Sequence, residues 1–144
     1  MDKINLVAPC LFGVESIAAD EFRRMGFEDI VTENGRVLLS GGSNMLARAN
    51  ICSRFAERIL INVGTFTATT FTELFDGVKA LDWEQYIGKD DAFPVNGWSI
   101  NSKLFSIPDC QSIIKKAVVE RLKLKYHISY FAKPDLSTKS VFQL

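Results

Sequence analysis

Asp29-Ile30-Val31-Thr32-Glu33-Asn34-Gly35-Arg36-Val37-Leu38-Leu39-Ser40 decides how the first half of this chain folds. Two β-prone runs flank Asn34-Gly35, the strongest short hairpin signal, because a tight turn of that kind asks for positive φ at both central residues. Upstream, Ile4 to Cys10 is a short apolar run with Pro9 near its end, and it reads as a buried strand. From Val14 the period becomes helical: Val14, Ile17, Ala18, Phe22 and Met25 fall on one face, and Gly26 supplies the stop. Downstream, Ser43 is predicted to cap a second helix whose apolar stripe runs Leu46, Ala49, Cys52, Phe55, Ala56 and Ile59. Ile59 to Phe66 reads as a fourth strand that overlaps the end of that helix. The order βαββαβ predicts a ferredoxin-like sandwich over residues 1–66, with two helices on one face of an antiparallel sheet.

That fold hosts many functions, so function must come from a site. A base-stacking RNA-recognition surface would need aromatics on the first and third strands, and Ile4–Cys10 and Arg36–Ser40 contain none. A metal carrier would need paired cysteines near the first loop, where Cys10 stands alone. An acylphosphatase-like site would need an arginine in Pro9-Cys10-Leu11-Phe12-Gly13. The first half therefore reads as a scaffold.

The second half, residues 67–144, is a different α/β unit. The threonine-rich stretch Thr67–Thr72 is a candidate junction. Phe71, Leu74, Phe75 and Val78 have helical spacing, and Asp82-Trp83-Glu84-Gln85-Tyr86-Ile87 leads to a stop at Gly88. Phe93, Val95, Gly97 and Ser99 alternate as in a strand, and Pro94 calls for its edge or first position. Asp109 is predicted to cap a long helix running to about Tyr126, with Cys110, Ile113, Ile114, Ala117 and Val118 inward. Arg121 interrupts those apolar positions without an account in the sequence. Pro134-Asp135 marks a turn, and Val141-Phe142-Gln143-Leu144 opens a strand. An apolar ending in mid-strand is expected of an incomplete domain.

The formal net charge is zero, yet the charge is unevenly distributed. Residues 101–144 hold eight Lys/Arg against three Asp/Glu, a balance of +5, whereas residues 67–100 hold two against six. Such asymmetry implies a face for a polyanion. Its centre is Asn101-Ser102-Lys103-Leu104, followed by the lysine-bearing helix Gln111-Ser112-Ile113-Ile114-Lys115-Lys116-Ala117. Hydroxyls, amides and cations at a strand end and on a helix suit phosphate contact. The candidate RNA-binding residues are Asn101, Ser102, Lys103, Gln111, Lys115, Lys116, Lys123 and Lys133. Trp98 is a candidate for base stacking, and Trp83, beside a helix stripe, reads as core.

No catalytic or metal site is expected. His127 is the only histidine, so neither a histidine metal cluster nor a Ser-His-Asp triad can be assembled. Asp82 with Glu84 reads as a pair of surface acids. Cys10, Cys52 and Cys110 form no CxxC pair, and buried thiols in a reduced, cytoplasmic protein are expected. No apolar run approaches the roughly 20 residues of a membrane helix, and no membrane partner is expected.

Phe12-Gly13-Val14-Glu15, Ala47-Arg48-Ala49-Asn50 with Arg58-Ile59-Leu60, and Phe75-Asp76-Gly77-Val78-Lys79-Ala80-Leu81-Asp82-Trp83 stand in an order that, with the 101–104 and 111–117 segments, covers nearly the whole chain. This layout resembles the N-terminal region of bacterial THUMP-domain RNA methyltransferases. Within them it is most similar to the family that methylates the exocyclic amine of guanine in large-subunit ribosomal RNA. The resemblance implies a ferredoxin-like domain, a THUMP domain that binds structured RNA, and a Rossmann-like catalytic domain using S-adenosylmethionine. This chain lacks the glycine-rich cofactor loop and an Asn-Pro-Pro-Tyr-like motif, and THUMP domains normally continue with further strands. The expectation is a truncated THUMP domain over 67–144 that delivers ribosomal RNA, with no cofactor and no catalysis of its own. Two rivals are the same module in a transfer-RNA enzyme (a 4-thiouridine synthetase or methyltransferase) and a protein-interaction domain whose lysines only confer solubility.

Overall fold

The computed structural model describes residues 3–99 and 101–129, together with the backbone of a strand at 140–143. The chain divides into two compact units, Met1–Val63 and Gly64–Leu144.

The first unit runs β1 (Ile4–Pro9), α1 (Glu15–Arg24), β2 (Glu28–Glu33), β3 (Arg36–Gly41), α2 (Ser43–Cys52) and β4 (Leu60–Ile61). The strands form one antiparallel sheet in the order β2-β3-β1-β4, the ferredoxin-like arrangement read from the sequence. Alternation along β1 and β3 sends Leu6, Ala8, Val37 and Leu39 into the core, where they meet Ala18, Ala19 and Phe22 of α1 and Ala49 of α2. The Phe22 ring meets Phe27 edge-on, with centroids 5.5 Å apart.

Local details depart from expectation for physical reasons. At the hairpin only Gly35 is left-handed, with φ +74°, and Asn34 is not. Glu15 explains the geometry of this corner: its carboxylate accepts from the amides of Gly35 (2.8 Å) and Gly13 (2.9 Å), tying the β1–α1 loop to the turn. Those bonds, the one from Gly35 foremost, hold the Glu15 carboxyl below the usual carboxylate range. β2 carries a bulge between Glu28 and Val31, where Asp29 adopts φ +52° and its carboxylate meets Lys3 and Ser40. Ile17 is exposed, and Ala19 takes an inward place instead.

Ser43 is not the cap of α2. Gly42 occupies that position in an extended conformation, and Ser43 is the first helical residue. The helix stops at Cys52 because Ser53 turns extended, so Phe55, Ala56 and Ile59 lie beyond it. The carboxylate of Glu21 captures this segment, accepting from Ser53 Oγ (3.0 Å) and the Arg54 amide (3.0 and 3.1 Å). The fourth strand shrinks to Leu60–Ile61. Cys52 is exposed, contrary to the expected burial of all three thiols, whereas Cys10 and Cys110 are buried and burial pushes both thiols up.

The second unit runs α3 (Phe71–Ala80), a short 3-10 turn at Trp83–Gln85, β5 (Val95–Trp98), α4 (Ile107–Tyr126) and β6 (Ser140–Gln143), with β6 parallel to β5. Thr70 caps α3 in a full capping box with Glu73. Phe71 is exposed, and Leu74 and Val78 are the buried positions of α3. Pro94 sits just before β5. Asp109 does not cap α4: Ser106 is the N-cap, Pro108 sits in the first turn, and Ser106 Oγ donates to Asp109 (2.5 Å). His127, at φ +53°, closes the helix in the left-handed conformation typical of such ends. The core joins Leu74 and Val78 to Ile87, Phe93, Leu104, Cys110, Ile114, Ala117, Val118 and Leu122. The expected turn at Pro134-Asp135 lies outside the described residues, and the strand expected from Val141 is β6.

Arg121 now has its account. Its guanidinium donates to Glu84 through Nε (3.1 Å) and NH2 (2.7 Å), and to Asp82 through NH2 (2.6 Å). Its side chain is 27% exposed and that of Glu84 only 12%. The Arg121 hydrogen bonds hold the Glu84 carboxyl down at about 2. Tyr126 Oη donates to the Ile87 carbonyl (2.8 Å), a second tie between α4 and this segment.

Two outcomes follow from this packing. A folded-state carboxyl below its unfolded value contributes stability that is present above about pH 4.5 and is lost as pH falls toward about 2. Acid titration followed by tryptophan fluorescence should therefore show a loss of stability across that window in the wild type, and Arg121→Met should remove most of that pH dependence. Leu122→Ala, at a fully buried position, should cost about 2–5 kcal/mol. Urea titration read by fluorescence reports it directly, because both tryptophans, Trp83 and Trp98, lie in the second unit.

Candidate nucleic-acid interface

The loop between β5 and α4 is built around one buried side chain. Leu104 is buried against Cys110 and Ile114 of the second core. Its amide donates to Ser102 Oγ (3.2 Å), and its carbonyl accepts from Ser99 Oγ (3.2 Å). Asn101 enters the loop at φ +53°, a left-handed conformation that asparagine tolerates better than most residues. With Leu104 held inward, Lys103 and Phe105 on either side of it are both exposed. Ser102 keeps its hydroxyl proton for an external acceptor, since it serves here as an acceptor.

Helix α4 distributes the remaining candidates by its own geometry. At about 100° per residue, Lys116 and Lys123 fall within about 20° of one another on the outward side, with Ser112 one turn before Lys116. Lys115 is exposed and stands one turn beyond the half-buried Gln111, on a neighbouring strip of the same helix. The helix thus brings Lys116 and Lys123 together and sets Lys115 with Gln111 apart from them. Lys133 lies outside the described residues.

Which cations are already committed separates the surface into two regions. Toward α3 and the 3-10 turn, Lys79 pairs with Glu120 (3.2 Å), Arg121 with Asp82 and Glu84, and Lys125 with Glu84 (3.6 Å). Glu120 stands one turn from both Lys116 and Lys123, yet its carboxylate is taken by Lys79. Asp109, near the helix start, is likewise taken by Ser106. Lys103, Lys115, Lys116 and Lys123 have no ion-pair partner among the described residues. The acidic 67–100 segment therefore neutralises one side of α4 and leaves the other cationic.

Trp83 is held in the packing, its indole Nε1 donating to the Val78 carbonyl (2.7 Å). Trp98, the last residue of β5, remains partly exposed. The sequence did not single out Phe105, although the alternation Lys103-Leu104-Phe105 was its available signal. The described residues contain no group of three or more acids, cysteines or histidines able to hold a metal ion. No helix among them is long and apolar enough to cross a membrane.

Comparison with known proteins agrees with this division. The family model of the RlmL ferredoxin-like domain matches residues 5–60, and that of the THUMP domain matches residues 68–137. "Putative RNA methyltransferase YpsC" of Bacillus subtilis is 45% identical over 125 residues, which is 87% of this chain and 32% of that protein. "Ribosomal RNA large subunit methyltransferase K/L" of Ectopseudomonas mendocina is 27% identical over 126 residues, 85% of this chain and 17% of that protein. The solved structure of "SMU.472, a putative methyltransferase complexed with SAH" matches with a TM-score of 0.87 and 40% identity, covering 99% of this chain and 38% of that one. The chain thus spans between 17% and 38% of the length of these relatives. It belongs to the THUMP family, as an RlmL-type ferredoxin-like domain followed by a THUMP domain, and its relatives are RNA methyltransferases.

Proposed function

We propose that this chain is the RNA-binding, substrate-delivering segment of an S-adenosylmethionine-dependent methyltransferase that modifies the exocyclic amine of a guanine in large-subunit ribosomal RNA. The observation that carries this reading is the set of lysines without acidic partners among the described residues, Lys103 on the loop before α4 and Lys115, Lys116 and Lys123 on two neighbouring strips of that helix in the THUMP unit. The named ribosomal RNA relative supports the substrate, and the neighbour complexed with SAH supports the cofactor of the whole protein. The cytoplasm, where ribosomal RNA is made in bacteria, is the corresponding site of action.

In this reading the lysines attract phosphates, and the Ser102 hydroxyl and the Asn101 and Gln111 amides add neutral hydrogen bonds that fix the register of the backbone. The contacts are to backbone and shape, so they recognise structured RNA without reading its sequence. When bound to the whole protein, S-adenosylmethionine supplies the methyl group. The residues at the first strand-to-helix connection of this chain do not fit that cofactor: the Gly13 amide there is already engaged by the carboxylate of Glu15, which also accepts from Gly35 in the hairpin turn. Their work is to bind and orient RNA.

Binding of the folded chain to a ribosomal RNA hairpin across a salt series tests this, with a transfer RNA and a DNA hairpin of equal length as comparisons. Log affinity should fall linearly with log salt, and Lys103→Glu/Lys116→Glu should weaken binding and reduce the slope by about two. Tighter binding of transfer RNA would move the parent enzyme to that substrate. No binding by the folded wild type at low salt, or an unchanged slope in the double variant, would overturn the assignment of these lysines.

A further inference from the structure

Phe105 is 80% exposed, far more than Trp98 at 37%. A phenylalanine so placed gains little from folding, since burying such a ring is where its stabilisation comes from. Its backbone is nevertheless held on both sides. Leu104 before it is fixed by burial and by the Ser99 and Ser102 hydrogen bonds, and Ser106 after it is the N-cap of α4, whose carbonyl accepts from the Cys110 amide (3.1 Å). The ring is therefore presented from a built loop. Lys103 stands on the other side of the buried Leu104, and two residues of chain span at most about 7 Å between Cα atoms. An aromatic face beside a cation without an acidic partner matches the chemistry of an unpaired nucleotide, with a flat base next to a phosphate.

We propose that Phe105 is a stacking platform for one unpaired base of the bound RNA, with Lys103 contacting the phosphate beside it. The assignment rests on the RNA-binding reading above and deepens it. The RNA must offer an unpaired nucleotide (in a loop, a bulge or an end) where it meets the start of α4. A continuous duplex would leave the ring bare.

The experiment compares two RNAs of equal length in binding to this chain: a hairpin with 2-aminopurine at a single bulged position, and the fully paired hairpin without the bulge. Phe105→Ala should weaken binding of the bulged RNA by about 5- to 100-fold, change binding of the paired RNA little, and abolish the fluorescence change of the bulged base. Phe105→Leu should behave like the alanine variant and Phe105→Trp like the wild type, because the π face is what matters. The salt slope should stay unchanged in Phe105→Ala and fall by about one in Lys103→Glu. Equal binding of both RNAs by wild type and Phe105→Ala would overturn the stacking assignment alone. Equal weakening on both RNAs, or full activity of Phe105→Leu, would also overturn it. Failure of the folded wild type to bind either RNA would overturn the RNA-binding reading and this inference together.

Discussion

The Arg121 contact with Glu84 and Asp82 governs the second unit. A helix of 20 residues has many rotations available to it about its own axis, and a buried apolar stripe alone selects among them loosely. The forked donation from one guanidinium to two carboxylates selects one, because its geometry is fixed on both sides. That rotation buries Cys110, Ile114, Ala117, Val118 and Leu122 together and leaves Lys116 exposed and Lys123 half-buried on the opposite side. It also decides where the acidic charge goes. Asp82 and Glu84 are committed to Arg121, Glu120 to Lys79, and the outward lysines keep their positive field.

The same economy appears at the loop before α4. Burial of Leu104 removes the loop's freedom, and its amide and carbonyl are both bonded by serine hydroxyls close in sequence. Exposed groups on such a loop carry less ordering entropy into a complex than groups on a free one. In the first unit Glu15 and Glu21 play the matching structural part, Glu15 accepting from the amides of Gly13 and Gly35 and Glu21 from the Arg54 amide and the Ser53 hydroxyl. Those carboxylates tie the connecting loops of the first unit to its helices.

Much of the fold was legible because the periodicities were clean. The alternation in β1 and β3 and the spacing of Ala18 and Phe22 in α1 were enough to order the ferredoxin-like unit, and the apolar stripe of α4 was read correctly from Cys110 to Val118. Boundaries were less legible. Phe55, Ala56 and Ile59 continue the helical period of α2 in sequence, but Glu21, distant along the chain, captures Ser53 and Arg54 and ends the helix early. Asp109 looked like a cap because aspartate often is one; Ser106 and Pro108 start the helix three residues sooner. The lysines of the site were visible as charge, whereas their lack of acidic partners was not. That property depends on Lys79 reaching Glu120 and on Arg121 reaching Glu84, contacts made across 41 and 37 residues of sequence. Arg121 itself looked misplaced for the same reason.

The central claim is that one side of α4 and the loop before it meet RNA while the Arg121 side does not. Titrating a ribosomal RNA hairpin into the isotope-labelled chain and following backbone amide signals tests it most directly. The account predicts saturable shifts concentrated in residues 101–106 and in the Lys116–Lys123 strip, with the amides of Asp82, Glu84 and Arg121 unmoved. Shifts centred on the 82–84 segment, or on the first unit alone, would contradict it.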